Sequence, residues 1–437
     1  MEINPVKGTH DIIADEAEMY AFFEYDCRII AELYGYKEIR TPIIEHTPLF
    51  LRSVGESSDI VTKEMYTFTD KGDRSLTLRP EMTAGVMRSI VSNKLYANAD
   101  LPLKYYYCGP CFRYERPQAG RYRQFHQFGI EMVGASSFYQ DAEVISLGAR
   151  ILQSLGIENV KVIINSLGDE KSRQGYRAAL KEYFAKHIKN MCGDCKRRYE
   201  INPLRILDCK VPEDQEIIKG APKMKDYLSK EANEYFDKVL EVLKKSGVEV
   251  EIDDNLVRGL DYYTGIVFEY HMSDDDIGAI GAGGHYKNLL KEVGGPDLEG
   301  VGLSFGLERL AYVFNKVHPN EKPSSGPDFF IMPMNDETVE SAYFLADILR
   351  GNGFAIEMNY SAKSFKTSFK IAERKRAKFA IILGDDEIAN KQITVKNLKT
   401  QEQTIVKNDD MVEVFKSLLD EYIRSENMEQ FAVAGDK

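Results

Sequence analysis

Between Leu103 and Gly134 the side chains alternate with period two, interrupted once by Arg116-Pro117-Gln118-Ala119-Gly120, whose proline and glycine suit a turn. This pattern predicts a long antiparallel hairpin. Successive strand residues point to opposite faces, so Arg121, Arg123, Phe125, Gln127 and Glu131 share one face of the return strand. Arg113 and Glu115 share a face of the outgoing strand. Pairing the two gathers guanidinium groups, an aromatic plate and polar acceptors in one wall. Such a wall suits a nucleotide, because arginine forks bind phosphate oxygens bidentately and Phe125 can stack on a purine. A solvated sheet face with cross-strand ion pairs is the alternative that the hairpin alone leaves open.

At about 100 to 200 residues per domain, the 437 residues exclude a single small module and predict several cores. Ahead of the hairpin, Met19, Phe22, Phe23, Ile29, Ile30 and Leu33 recur at helical spacing before Gly35, which predicts an amphipathic helix. The stretch 36–44, interrupted by Pro42, predicts a surface strand at a sheet edge. After the hairpin, 141–155 reads as a helix, 160–165 as a buried strand and 170–245, rich in Lys, Glu and Ala, as a mostly helical insertion. Strands and Gly-rich turns after Glu249 lead to a small-residue strand that enters an apolar helix over 302–314. The run KVHPNEKPSSGP over 316–327 has linker composition. Beyond it, strand 329–332, helix 336–350, strand 355–358, helix 362–376, strand 379–383, a hairpin and helix 411–423 describe a small α/β domain.

The net charge of -12, from 57 Lys+Arg against 69 Asp+Glu, excludes whole-molecule attraction to a polyanion, so any such partner needs local patches. Two exist. From Lys104 to Gln127 five basic residues face one acid. From Lys363 to Lys378 seven basic residues stand against Glu373, and Lys363, Lys366, Lys370, Arg374 and Lys378 follow the spacing of one helix face. No apolar run approaches the roughly 18 residues of a membrane span, and six cysteines are too sparse for a disulfide scaffold. A cytoplasmic protein with reduced thiols and no membrane association is expected.

Two motifs point to chemistry that their surroundings contradict, and a third leaves a metal site open. Cys108-Gly109-Pro110-Cys111 spells a redox motif but runs into an alternating strand, with no helix N-terminus to lower a thiol pKa. Two buried, inert cysteines are expected. Gly302-Leu303-Ser304-Phe305-Gly306 has the nucleophile-elbow pattern, yet only His318 follows it, so the glycines are expected to serve close strand-to-helix packing. Cys192, Cys195 and Cys209 read as free thiols of the insertion; zinc completed by His187 is the alternative, and no metal ligand is assigned.

Phe112-Arg113-Tyr114-Glu115 with the Arg-rich return strand resembles motif 2 of class II aminoacyl-tRNA synthetases. Gly302-Leu303-Ser304-Phe305-Gly306-Leu307-Glu308-Arg309-Leu310 resembles motif 3, and Tyr34-Gly35-Tyr36 to Pro42 resembles motif 1. Arg258-Gly259-Leu260-Asp261-Tyr262-Tyr263-Thr264-Gly265 is similar to the signature peptide of the histidyl-tRNA synthetase family. Thr77-Leu78-Arg79-Pro80-Glu81-Met82-Thr83-Ala84 and Lys7-Gly8-Thr9-His10-Asp11 resemble that family too. The chain departs from it at Gly283-Gly284-His285-Tyr286-Lys287, where many members have Gly-Gly-Arg-Tyr-Asp. His285 is therefore expected in a loop that supports the pocket.

The resemblance implies an α+β fold: a class II antiparallel sheet flanked by helices, a helical insertion, and a C-terminal α/β anticodon-binding domain. It places the catalytic domain in 1–168 and 249–316, the insertion in 169–248, the linker in 317–327 and the anticodon-binding domain in 328–437. It implies a homodimer formed through motif 1. The implied reaction activates L-histidine with ATP and transfers it to the 3' end of tRNA(His), with Mg2+ bridging the outer phosphates.

Arg113 and Arg258 are the implied catalytic residues, approaching the ATP α-phosphate from opposite sides. Glu115 and Phe125 are implied at adenine, Arg121 elsewhere on ATP, and Arg309 over the nucleotide and its γ-phosphate. Glu81, Thr83 and Gln127 are implied for the histidine ammonium, and Glu131, Tyr263 and nearby Tyr262 for the imidazole. The acceptor end of tRNA is implied at the turn 116–120 and the anticodon beyond Phe329. The rival is a non-catalytic, histidine-sensing paralogue of the kind that regulates ATP phosphoribosyltransferase.

Overall fold

Leu103–Phe112 and Gln124–Val133 form the long hairpin, paired antiparallel from Leu103 opposite Val133 to Phe112 opposite Gln124. They are the second and third strands of an eight-stranded sheet. Gly300–Gly306, Ala279–Tyr286, Ile266–Met272 and Val160–Ser166 continue it antiparallel. The edges, Lys37–Glu38 and Val250–Ile252, pair in parallel. The computed structural model describes residues 3–435 except 56–57, 98, 118–119, 135, 274–276 and 320–325. The turn 116–120 and the linker 317–327 thus lie partly outside the described residues.

Alternation along Gln124–Val133 divides the two faces. Phe128, Ile130 and Met132 are buried in one core with the helices Asp15–Leu33, Phe138–Ser154 and Leu307–Val317. Each such buried side chain contributes about 1.5 to 3 kcal/mol. Phe125, Gln127 and Glu131 face the other way, into a cleft flanked by the helix Thr83–Ser92. Gly129 lies on that face too, and a Cβ there would stand 2.5 Å from the Tyr107 ring, so the missing side chain lets Tyr107 lie flat across the strand.

Two expectations change. The edge strand at 36–44 is only Lys37–Glu38; Pro42 has no N–H to continue a ladder, and the chain enters a separate three-stranded sheet as Ile44–His46. Within 169–248, the segments from Tyr176 to Met224 build a core of their own, whereas the helix Lys230–Lys245 buries Phe236, Val239 and Leu243 in the main core. Its apolar stripe at spacings of 3 and 4 decides that allegiance.

Contacts divide the chain into two units, Met1–Lys322 and Pro323–Lys437. In the second, a sheet carries Phe329–Pro333 between parallel neighbours Ile356–Met358 and Phe379–Leu383, with Gln392–Asn397 and Gln403–Lys407 antiparallel beyond. Phe329 stacks on Phe415 at 4.2 Å on one face, while Phe330, Met332 and Ile382 pack with Ala372 on the other. Both faces are covered, which is why these strands read as continuous apolar runs.

Candidate active site

One cleft of about 460 Å3 opens on the polar face of the large sheet. Its lining includes Arg113, Glu115, Arg121, Phe125, Gln127 and Glu131 from the hairpin, Glu81 from the loop before Thr83–Ser92 and Thr83 from the first turn of that helix. Arg258, Tyr262, Tyr263 and Arg309 complete the set of residues singled out in the sequence.

Glu131 closes the deep end. It is 1% exposed, and its carboxylate accepts hydroxyl hydrogen bonds from Thr83 at 2.7 Å, Tyr107 at 3.0 Å and Tyr286 at 2.6 Å. Burial pushes its pKa up to about 7, against which the three hydroxyl donors favour the ionised form. Glu81 is also buried, and its two oxygens accept the N–H groups of Thr83 at 2.7 Å and Ala84 at 2.9 Å, the open start of the helix. Burial raises its pKa as well. Tyr262 and Tyr263 lie with ring centroids 4.5 Å apart beside this end.

The cationic end has two walls. Arg113 donates from Nε to the Pro80 carbonyl at 2.8 Å, and its guanidinium sits 5.1 Å from the Phe125 centroid. Glu115 lies between Arg113 at 3.8 Å and Arg121 at 3.7 Å. Opposite, Arg258 forms an ion pair with Glu269, whose other oxygen meets His271 Nε2 at 2.7 Å. Arg258 Nε is buried with no hydrogen-bond partner among the described residues. Arg309, at the start of Leu307–Val317, donates to the Ala279 carbonyl, and burial lowers its pKa. The cleft thus pairs fixed positive charge at one end with a small polar cage at the other.

The family model "Histidyl-tRNA synthetase" matches residues 8–310 and that of an anticodon binding domain matches 328–418. A protein of Bacillus subtilis named histidine--tRNA ligase is 46% identical over 420 residues, 95% of this chain and 99% of its own length. The chain belongs to the histidyl-tRNA synthetase family. A relative of that name from a Geobacillus strain is 45% identical over 94% of this chain and 98% of its own. The crystal structure of apo histidyl-tRNA synthetase from S. aureus superposes with a TM-score of 0.79 at 38% identity, covering 95% of this chain and all of that one.

Within this family framework several residues that reasoning from sequence passed over hold the site. Tyr107 and Tyr286 cage Glu131. The hairpin register makes Tyr107 legible, because it faces Gly129, two pairs along the ladder from Glu131 and so on the same face. Glu269 carried no local signal. Glu308 is buried and accepts the His126 backbone N–H at 2.8 Å, tying the motif 3 helix to the motif 2 strand. Arg79 is spent on structure, donating to the carbonyls of Pro110 at 2.8 Å and Thr41 at 2.9 Å.

His285 lies on the strand Ala279–Tyr286 instead of in a loop, and it points away from the cleft. Its Nδ1 is 3.0 Å from Asp141 and its Nε2 3.0 Å from Glu299. Alternation explains the direction, since neighbouring Tyr286 faces Glu131. Cys108 and Cys111 sit on the hairpin strand as free thiols, Cys111 buried with its pKa pushed up to about 12. Gly302 to Gly306 form a strand that runs directly into Leu307–Val317.

Proposed function

We propose that this chain activates L-histidine with ATP as histidyl-adenylate and transfers the histidyl group to the 3' end of tRNA(His). The observation that carries the reading is the union, in one cleft, of the Arg113 and Arg258 guanidinium groups with a caged Glu131. Attack of the histidine carboxylate on the α-phosphorus moves negative charge onto its equatorial oxygens. Arg113 and Arg258, each held in advance by a carbonyl or a carboxylate, stabilise that charge without reorganising. The Nε–H of Arg258, without a partner among the described residues, is a donor left for such an oxygen. Phe125 and Glu115 take adenine, while Arg121 and Arg309 take the remaining phosphates.

At the other end, Glu131 and Tyr263 pair the two imidazole nitrogens, with Tyr262 beside them, and Glu81, Thr83 and Gln127 receive the ammonium. A buried site built to pair both ring nitrogens rejects amino acids that lack them by about 10^4 to 10^5, so discrimination needs no editing step. Mg2+ prefers oxygen donors, which the ATP phosphates would themselves supply, and bound there it would neutralise charge on the outer phosphates.

Exposed Ile43 and Ile44, just past the motif 1 segment, support a homodimer. No helix among the described residues is long and apolar enough to cross a membrane, which fits a cytoplasmic setting. The match over 328–418 weighs against the histidine-sensing paralogue. Histidine-dependent exchange of pyrophosphate into ATP, screened over all twenty amino acids, tests the reading, followed by charging of tRNA(His). Exchange with histidine alone is expected; none from folded protein would overturn it.

A further inference from the structure

The insertion carries a cluster that the reaction does not use. The Sγ atoms of Cys192, Cys195 and Cys209 and a carboxylate oxygen of Asp214 all lie within 4.8 Å of one another. Cys192 Sγ and Cys209 Sγ are 3.9 Å apart, and Cys209 Sγ is 3.2 Å from Asp214 Oδ2. Zinc–sulfur bonds of about 2.3 Å at tetrahedral angles place two sulfurs about 3.8 Å apart. Two backbone N–H groups are aimed at the sulfurs. The Cys195 N–H points to Cys192 Sγ at 3.4 Å and the Val211 N–H to Cys209 Sγ at 3.5 Å. Asp214 is fixed by the Cys192 N–H, 3.1 Å from Oδ2, as an outer hydrogen bond commonly orients a metal-ligating carboxylate. Cys195, Cys209 and Asp214 are buried. His187, the fourth ligand suggested by sequence, is not in the group; its ring packs on Tyr183 at 5.1 Å.

We propose that Cys192, Cys195, Cys209 and Asp214 bind one structural Zn2+ ion. Three thiolates and one carboxylate fill a tetrahedron, leaving no open position for substrate. A hard oxygen beside three soft sulfurs favours zinc over monovalent copper.

The site stands at both ends of a segment that reaches the cleft. Gly193–Ile201 starts at the first two cysteines and sends Arg197 and Arg198 to Asp59, at 2.6 and 2.7 Å. Pro203–Asp208 ends at the third cysteine and sends Arg205 to the carbonyl oxygen of Arg258 at 2.6 Å. Arg205, Asp208 and Lys210 line the cleft themselves. The ion thereby pins the strut on which the Arg258 backbone rests.

The test is metal content of the full-length chain, a readout independent of any synthetase activity. Protein purified without chelator and desalted is expected to hold about one zinc per chain, falling roughly tenfold or more in Cys192→Ser and Cys209→Ser. Replacing zinc by Co2+ in the unaltered chain is expected to give thiolate-to-cobalt charge-transfer absorption with tetrahedral d–d bands, so a serine variant that fails to fold does not remove the test. Asp214→Asn is expected to release zinc to a chromogenic chelator about 10 to 100 times faster. Zinc-free protein that gives no cobalt spectrum overturns the proposal. So does zinc that persists in both serine variants, or a disulfide among the three cysteines in freshly purified protein.

Discussion

The Tyr286 hydroxyl donates to Glu131 Oε2 at 2.6 Å across an entire intervening strand. That strand is Gly300–Gly306, and it permits the reach because Gly300 and Gly302 have no side chains there. A Cβ at Gly300 would stand 2.4 Å from the Tyr286 ring, and one at Gly302 would stand 2.0 Å from Glu131 Oε2. The small-residue strand that resembles a nucleophile elbow is therefore the floor under the carboxylate.

Gly302→Ala forces Glu131 to move. The expected result is a loss of about 10^2-fold or more in kcat/KM for histidine in pyrophosphate exchange, because a displacement of about 1 Å suffices for that at a positioned group. The KM for ATP is expected to stay within a few-fold. A variant with unchanged histidine kinetics would remove Glu131 from substrate recognition.

Tyr286→Phe tests the cage by subtraction. It deletes one of three donors to a buried carboxylate, with an expected stability cost of about 1 to 3 kcal/mol in reversible denaturation. The remaining hydroxyls of Thr83 and Tyr107 keep Glu131 in place, so histidine activation is expected to fall less than in Gly302→Ala. The ratio of the two kcat/KM losses checks this order.

Arg258→Lys retains charge and removes the planar fork that engages Glu269 while leaving Nε for a ligand. Pyrophosphate exchange is expected to fall by about 10^2 to 10^3 in kcat, the cost of one preorganised donor. Circular dichroism is expected to match that of the unaltered chain. A change confined to KM would mean that Arg258 binds ground state and transition state alike.

The cleft was legible because strand alternation is a local rule. Arg113, Phe125, Gln127 and Glu131 follow from reading the hairpin at period two, and the structure places all four in one wall. Glu269 and Tyr286 were not legible, since their roles come from sheet order: Ile266–Met272 and Ala279–Tyr286 lie three strands and two strands from Gln124–Val133. Composition also misled at two places. Lys230–Lys245 shares the charged character of the insertion, yet Phe236, Val239 and Leu243 assign it to the main core. Asp214 has no cysteine-like spacing and meets the three thiols only through the fold.

His285 gives the protein a pH-dependent stability. Burial opposes its charge, but Asp141 and Glu299 overcome that and hold its pKa up at about 9. Tyr235 donates to Asp141, and Lys287 meets Glu299 at 2.8 Å, so these four groups face the imidazolium cluster. Because the folded value lies above the ordinary 6.5, the contribution is full below pH 6.5 and disappears as pH rises through about 9. It is of order 3 kcal/mol. On the acid side, Glu299, held down at about 2 by His285, loses its share as pH falls from about 4.5 through 2. Chemical denaturation from pH 6 to 9.5 is expected to show the alkaline loss, and His285→Gln to flatten it.

The basic run 363–378 divides into two roles. The helix is Phe365–Arg374, on which Lys366, Lys370 and Arg374 are exposed on one face, while Lys378 lies outside it, half-buried in an ion pair with Asp328 at 2.8 Å. Five residues expected on one helix face are thus three, because Lys363 precedes the Ser364 cap while Ala377 and Lys378 already lead into the strand Phe379–Leu383. Lys366→Ala, Lys370→Ala and Arg374→Ala are each expected to weaken binding of tRNA(His) and to lower the slope of log affinity against log salt by about 0.7 to 0.9. Pyrophosphate exchange, which needs no tRNA, is expected to stay unchanged in all three. Lys378→Ala is expected to reverse the pattern: it leaves Asp328 partly buried without its cation, so thermal stability falls while the salt slope holds. Filter binding across a salt series, with a melting curve for each variant, separates an RNA contact from a structural one. An unmoved slope in all three helix variants would take this face out of the tRNA interface.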